Sequence, residues 1–294
     1  MESPISQTPD QSDQPDQPDQ PSQLDQPDKP ELAPGGYPID PTLERRWGVA
    51  ESGDVYEGAV RPHLIDELRR RWPPIGLKRQ STPAGAPVAR IGLSDKWIVV
   101  PDAEVSGDNP PLLAWDMLER SLAVFSAHRL TKLVAVHSSV VAWKGRALVV
   151  PALSGGGKST LTRAAHNAGA TVLSDEYTLI DPGTGLVTGW NRPVRILTSG
   201  DGIDRLDIAV RSEPIPVGAI AFLTHDAHKA NNWATISRGD ATGKLLTHTI
   251  CGTTRPNESL DAALAATADA RLVAGTRGEA DDAIVELLEM TVAD

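Results

Sequence analysis

The chain has a single cysteine, Cys251. A disulfide within the chain is therefore impossible, and a four-cysteine zinc site is excluded. Nor is there an apolar run approaching the roughly 20 residues that a membrane helix needs. The N-terminus is acidic and has no apolar stretch, so no secretory signal peptide is expected and the cytoplasm is the expected compartment. Basic residues are in deficit: 28 Lys and Arg face 39 Asp and Glu, a net charge of −11. That balance argues against nucleic-acid binding through a basic surface.

Most of the negative charge sits at one end. Glu2, Asp10, Asp13, Asp16, Asp19, Asp25, Asp28 and Glu31 are opposed only by Lys29. Gln-Pro-Asp units recur at Gln14–Asp16, Gln17–Asp19 and Gln26–Asp28. Residues 1–36 thus form a polar, acidic, proline-rich tail with almost nothing to bury, and the expectation is a disordered, solvating arm. The rest of the chain has an ordinary charge for a globular protein.

Folded structure is expected to begin between Gly36 and Trp47. Residues 37–130 read as a small α/β module. Its elements are a short helix over Pro62–Trp72, strands at Val88–Ile91 and Trp97–Val100, and a loop at Gly107–Pro111. An amphipathic helix over Leu112–Leu130 follows, with Leu112, Trp115, Leu118, Leu122 and Phe125 at three- and four-residue spacing. The Arg69-Arg70-Arg71 run reads as a solvated face. Residues 131–294 read as a second unit. Leu133–Trp143 and Arg146–Val150 form a hairpin around Lys144-Gly145. Strands are also expected at Ala170–Leu173, Thr178–Ile180, Leu186–Trp190 and Val217–Leu223. A helix at Asp281–Met290 closes the chain.

The hairpin runs into Pro151-Ala-Leu-Ser-Gly-Gly-Gly-Lys158-Ser-Thr160. Ala152, four further residues and Gly157-Lys158-Ser159 reproduce a phosphate-binding loop with Ala in place of its first glycine. A glycine-rich turn before a helix aims backbone N–H groups at one point. The helix N-terminus adds partial positive charge there and Lys158 a full one. Leu161, Ala164, Ala165 and Ala168 then continue at helical spacing, and Gly169 stops the helix. The next strand ends in Asp175-Glu176, much sooner after the loop than the acidic strand of transporter or motor ATPases. A carboxylate at a neighbouring strand end can reach a metal held by Ser159.

Two stretches, His137–Thr160 through the hairpin and loop and Gly169–Glu176, resemble the catalytic domain of the HPr kinase/phosphorylase family and its kinase relatives. The resemblance implies a β-rich P-loop core of the phosphoenolpyruvate carboxykinase type. It implies ATP and Mg²⁺ as cofactors and transfer of the γ-phosphate to a serine hydroxyl of a protein or peptide. By position, Ser154, Gly155, Gly156, Gly157, Lys158, Ser159 and Thr160 would hold the nucleotide. Ser159 and Glu176 would bind the metal, Asp175 would be the base, and His137 would lie beside the transferred phosphate. The family often has Asp-Asp where this chain has Asp175-Glu176. Arg192 and Arg195 are candidates for neutralising phosphoryl charge.

Two other classes stay open on sequence: a nucleotide-binding regulator without transfer, and a small-molecule kinase. So do ATP against GTP, the acceptor's identity, and assembly as a homo-oligomer. His225, Asp226 and His228 lack a third ligand at zinc spacing and read as loop polar residues. Arg238-Gly-Asp240 reads as a chance tripeptide. Cys251, with His248 nearby in sequence, reads as a buried thiol.

Overall fold

The computed structural model describes residues 32–33, 37–38, 42–73, 75–82, 85–93, 98–99, 111–152, 156–190, 192, 194–197, 203–206 and 213–292. Within them the protein is mixed α/β, built on two mixed sheets. A two-residue ladder, β1 (Leu32–Ala33) with β2 (Tyr37–Pro38), crosses the boundary expected at residue 36. Residues 1–31 of the acidic tail lie outside the described residues.

The first sheet has the order β5-β3-β4-β6-β7, from β3 (Glu44–Ala50), β4 (Val55–Val60), β5 (Leu77–Gln80), β6 (Pro87–Leu93) and β7 (Ile98–Val99). Its one parallel pair is β4 with β6. Between β4 and β5 runs a 3₁₀ turn, Pro62–Leu64, and α1 (Ile65–Arg71); α2 (Pro111–His128) follows β7. The sequence showed the helices and β6 but not β3, β4 or β5. Their runs are interrupted by glycine and charge, as in Glu44-Arg-Arg-Trp-Gly-Val-Ala50.

Helix α2 serves two cores because its two faces differ in size. Trp115, Leu118, Leu122 and Phe125 pack with Tyr56, Leu68 and Ile91 of the first sheet's cluster. Ala123 and Ala127 lie against Ala135, Tyr177, Leu179 and Trp190 of the second sheet. Small side chains let a helix approach a sheet closely, while large ones fill the wider gap. The junction is tied further by Arg255, whose guanidinium donates to the carbonyls of Leu130, Thr131 and Leu133. The arginine run is not uniformly solvated. Arg69 and Arg70 are exposed, but Arg71 is buried beneath Glu67 and Glu119.

The second sheet has eight strands. Seven follow the order β12-β11-β8-β9-β15-β17-β16, and β10 pairs beside β11 on β8. They are β8 (Val134–Trp143), β9 (Arg146–Pro151), β10 (Thr171–Ser174), β11 (Tyr177–Ile180), β12 (Val187–Gly189), β15 (Val217–His225), β16 (Asn232–Thr235) and β17 (Arg271–Arg277). A separate hairpin joins β13 (Val194–Leu197) to β14 (Ile203–Leu206). β8 and β9 form the expected hairpin, and its turn places Lys144 at φ 48° and Gly145 at φ 82°. Two left-handed residues match the twist of the flanking strands. β9, β15 and β17 run parallel. Such strands are covered on both faces and read as continuous apolar runs. One face packs on α3 (Lys158–Asn167) and α6 (Ala280–Val292) through Leu161, Ala165, Ile284 and Leu287. The other packs on α4 (Arg238–Leu246) and α5 (Pro256–Ala266) through Leu245, Ala262 and Ala266.

Local chemistry explains the helix ends. Gly169, at φ 91°, lets its own N–H reach His166 and the next N–H, of Ala170, reach Ala165, closing α3. Arg238-Gly-Asp240 is the first turn of α4. The Ser237 hydroxyl accepts from the Asp240 N–H, so the tripeptide belongs to a helix cap. Gly189 is required by close approach: a Cβ there would lie 2.1 Å from the Leu173 carbonyl oxygen. Gly189→Ala is expected to cost about 3 kcal/mol in a urea titration, the upper range for overpacking. A loss under about 0.5 kcal/mol would show that β10 and β12 shift apart freely. Among the described residues no helix is long and apolar enough to cross a membrane.

Candidate active site

The loop joins the end of β9 to the start of α3. Ser154 and Gly155 lie outside the described residues; Gly156 onward is described. Gly157 sits at φ 77° and is the helix N-cap. A side chain there would strain the backbone and collide with Arg277, whose Nη2 would be 2.2 Å from the added Cβ. Lys158 is buried, and its Nζ donates to the Ala152 carbonyl at 2.8 Å. Burial pushes its pKa down, against the pull of Asp175 and Glu176. Ser159 donates to Asp175 Oδ2 at 2.9 Å. Thr160, one residue further into α3, is exposed.

The acidic pair stands where one strand line is broken. β10 and β11 both pair with β8 on the same side, and Asp175-Glu176 is the kink between them. The kink is held by Ser174, whose hydroxyl accepts from the N–H groups of Glu176 and Tyr177, each at 3.2 Å. A hydroxyl that takes two backbone donors offers the chain an alternative to the ladder. Directly opposite Tyr177 on β8 is His137. Register alone therefore sets the histidine across from the residue that follows the acids, and the loop helix on the adjoining strand brings Lys158 and Ser159.

Electrostatics follow from this burial. Asp175 and Glu176 are both pushed up by desolvation, opposed chiefly by Arg192. Arg192 lies 2.9 Å from Glu176 and 3.7 Å from Glu119, and Glu119 lies 3.0 Å from Arg71. The Arg192–Glu176 contact is a charge contact without hydrogen-bond alignment, so among the described residues Glu176 Oε2 and Arg192 Nε have no hydrogen-bond partner. Asp175 Oδ1 is likewise buried without one among the described residues. The side chain of Arg195 lies outside what is described.

His137 is pushed down to about 4 by desolvation, then by Lys158, His248 and Arg120. It is therefore neutral near pH 7. A histidine whose folded pKa is depressed contributes stability above its ordinary 6.5, and that stability is lost as pH falls through 6.5 towards 4. Urea midpoints should drop across that window, and His137→Gln should reduce the drop. An unchanged slope in His137→Gln would place the titration elsewhere. His248 is also shifted down, by burial first, so part of the slope should persist in the variant.

Four residues near the site had no signal in sequence reading: Glu119 and Arg120 on α2, His248 after α4, and Arg277 at the end of β17. In sequence His248 stands out only as a neighbour of Cys251. Its carbonyl instead accepts from the His137 N–H at 2.8 Å. Cys251 is buried with Ser259 Oγ at 3.6 Å, the buried thiol expected. Asp226 pairs with Lys229 and accepts from the His228 N–H, a loop turn. Among the described residues no cluster of three or more His, Cys, Asp or Glu side chains is placed to hold a metal. A cavity of about 450 Å³ beside β3 and β5, lined by Val49, Leu77 and Lys78, shares no residue with this site.

Mg²⁺ fits the donors present. It takes hard oxygens, keeps several waters and leans on substrate phosphates, so it does not need a full protein cage. Ser159 Oγ is such a donor, as are Asp175 Oδ1 and Glu176 Oε2, which accept no hydrogen bond from the described residues. Ser159 touches Asp175, whereas the predicted metal partner Glu176 is held by Arg192. The chain matches no protein-family model, and no curated protein matches it significantly.

Proposed function

We propose that the protein is an ATP- and Mg²⁺-dependent kinase of the HPr-kinase-related type, transferring the γ-phosphate to a serine hydroxyl of a protein or peptide. The observation that carries this reading is the Ser159–Asp175 hydrogen bond, which couples the phosphate-loop helix to the buried acidic kink. Lys158 and the loop amides would balance phosphate charge. Asp175 would orient the acceptor hydroxyl and take its proton, its raised pKa suiting that task. Ser159 and Glu176 would hold Mg²⁺, which would supply positive charge to offset that of the phosphates. Neutral His137 can accept or donate one hydrogen bond beside the transferred group.

The test is to incubate the full chain with Mg²⁺, γ-labelled ATP and a panel of proteins and peptides. Label is expected on serine of an acceptor. Nucleotide binding with no transfer across a broad panel would favour a regulator instead, and absence of nucleotide binding would sink both.

A further inference from the structure

Helix α2 brings one more cation to the site. Arg120, Ala123 and Ala127 are three and seven residues apart, so they share one face of the helix. On that face Ala123 and Ala127 lie against Tyr177 and Trp190. The Tyr177 and His137 rings are 6.1 Å apart between centroids. Glu119, the preceding residue, reaches Arg192, the counterion of Glu176. Arg120 is therefore held one helical turn before the contact of α2 with β11, beside the acidic kink.

The other arginines there are engaged, Arg71 by Glu67 and Glu119, Arg192 by Glu119 and Glu176. Arg120 is exposed, and among the described residues its side chain has neither an ion pair nor a hydrogen bond. A guanidinium carries five donors in a planar fork that matches a carboxylate.

Two cations bracket the kink. The charges of Lys158 and Arg120 both act on His137 and Glu176. Asp175, before them, is under Lys158, and Tyr177, after them, is under Arg120. The order across the site is Lys158, Asp175, then Glu176 with His137, then Tyr177, then Arg120. In phosphoryl transfer the attacking and leaving oxygens lie roughly in line. With the phosphates at Lys158 and the acceptor oxygen at Asp175, the chain that carries the acceptor hydroxyl continues away from the loop, towards Arg120.

Resting on the kinase reading above, we propose that Arg120 selects the acceptor by receiving an Asp or Glu carboxylate next to the serine that is phosphorylated. It does not touch the reacting atoms. It decides which serine is presented to them, so α2 supplies specificity and the second sheet the chemistry. A serine flanked by lysine meets like charge and is disfavoured.

The experiment gives the full chain two sets of serine peptides. Within a set, the residue just before or just after the serine is Asp, Asn or Lys. Transfer from γ-labelled ATP is measured as kcat/KM, and peptide binding is followed separately by fluorescence anisotropy without nucleotide. The parent protein should favour Asp over Asn about tenfold in at least one set, the worth of one hydrogen bond between charged groups. Arg120→Gln should bring the two level, Arg120→Lys should keep part of the preference, and Arg120→Glu should favour Lys instead. A residue that only shaped the fold would move all peptides together and leave their order intact. If the parent protein favours Asp in neither set, or Arg120→Glu leaves the order unchanged, the proposal is wrong, while transfer to any serine peptide keeps the kinase reading. If binding shows the preference and its reversal but no acceptor takes label, the anion site stands and the kinase reading fails.

Discussion

Asp175→Asn is expected to lower phosphoryl transfer by about 10³-fold while leaving nucleotide affinity within a few-fold of the parent. A positioned general base contributes roughly 10²–10⁴-fold. The substitution removes the proton acceptor but keeps an oxygen able to accept from Ser159, so the link between α3 and the acidic kink survives. It should not damage the fold. The Asp175 pKa is raised because its charged form is disfavoured by burial. A neutral isostere relieves that cost, and the urea midpoint near pH 7 should stay level or rise. Glu176→Gln should behave differently, raising the Mg²⁺ concentration needed for half-maximal rate. Rate at saturating nucleotide and midpoint at matched pH, measured on both variants, separate the roles. If Asp175→Asn raises the Mg²⁺ requirement and Glu176→Gln loses transfer, the two carboxylates exchange assignments. If Asp175→Asn transfers normally, neither assignment stands.

How far the site was legible depends on how its residues are joined. The loop, its helix, the hairpin and the acidic pair are consecutive along the chain, and each carries a local signature. Glycine marks a left-handed turn, Lys144-Gly145 a hairpin, and spaced alanines a helix face. His137 was placed by resemblance, and register then explained its position, because a strand's partners are set by pairing. Arg277 reaches the loop, and His248 reaches His137 on β8, from far downstream and only through sheet order and a backbone hydrogen bond. No window of sequence contains that information. Glu119 is similar. It sits on a helix whose apolar faces were plain, but which polar residue of that helix points at the second sheet depends on how α2 is wedged between two cores. The missed strands β3, β4 and β5 show the other limit. β5 is an edge strand, β3 is half-buried and β4 is buried throughout, but charge breaks the apolar pattern of all three and glycine that of β3 and β4, and tertiary context overrides weak propensity.

Arg192→Leu should destabilise the fold by about 3–5 kcal/mol near pH 7, the cost of stranding a buried charge. Arg192 is the hinge of a chain of alternating charge, Arg71–Glu119–Arg192–Glu176, running from the first sheet's helices into the acidic kink. Its side chain is 20 % exposed, and those of Glu119 and Glu176 are 12 % and 15 % exposed. Removing the guanidinium leaves two poorly solvated carboxylates without their shared counterion. The sign with pH follows. Glu176 already has a raised pKa from desolvation, and losing Arg192, the largest opposing influence, raises it further. Protonated Glu176 needs no counterion, so the penalty should be largest near pH 7 and shrink as pH falls towards about 5. A second copy of the effect should appear in the double variant. Arg192→Leu with Glu176→Gln should recover more than half of the lost stability, because the charge that required the arginine is gone. Urea titrations of the two single variants and the double, at both pH values, give the coupling directly. Additive losses would mean that Arg192 holds the kink by packing alone. A strong coupling would make the ion pair a physical link through which the first sheet and α2 set the position of Glu176.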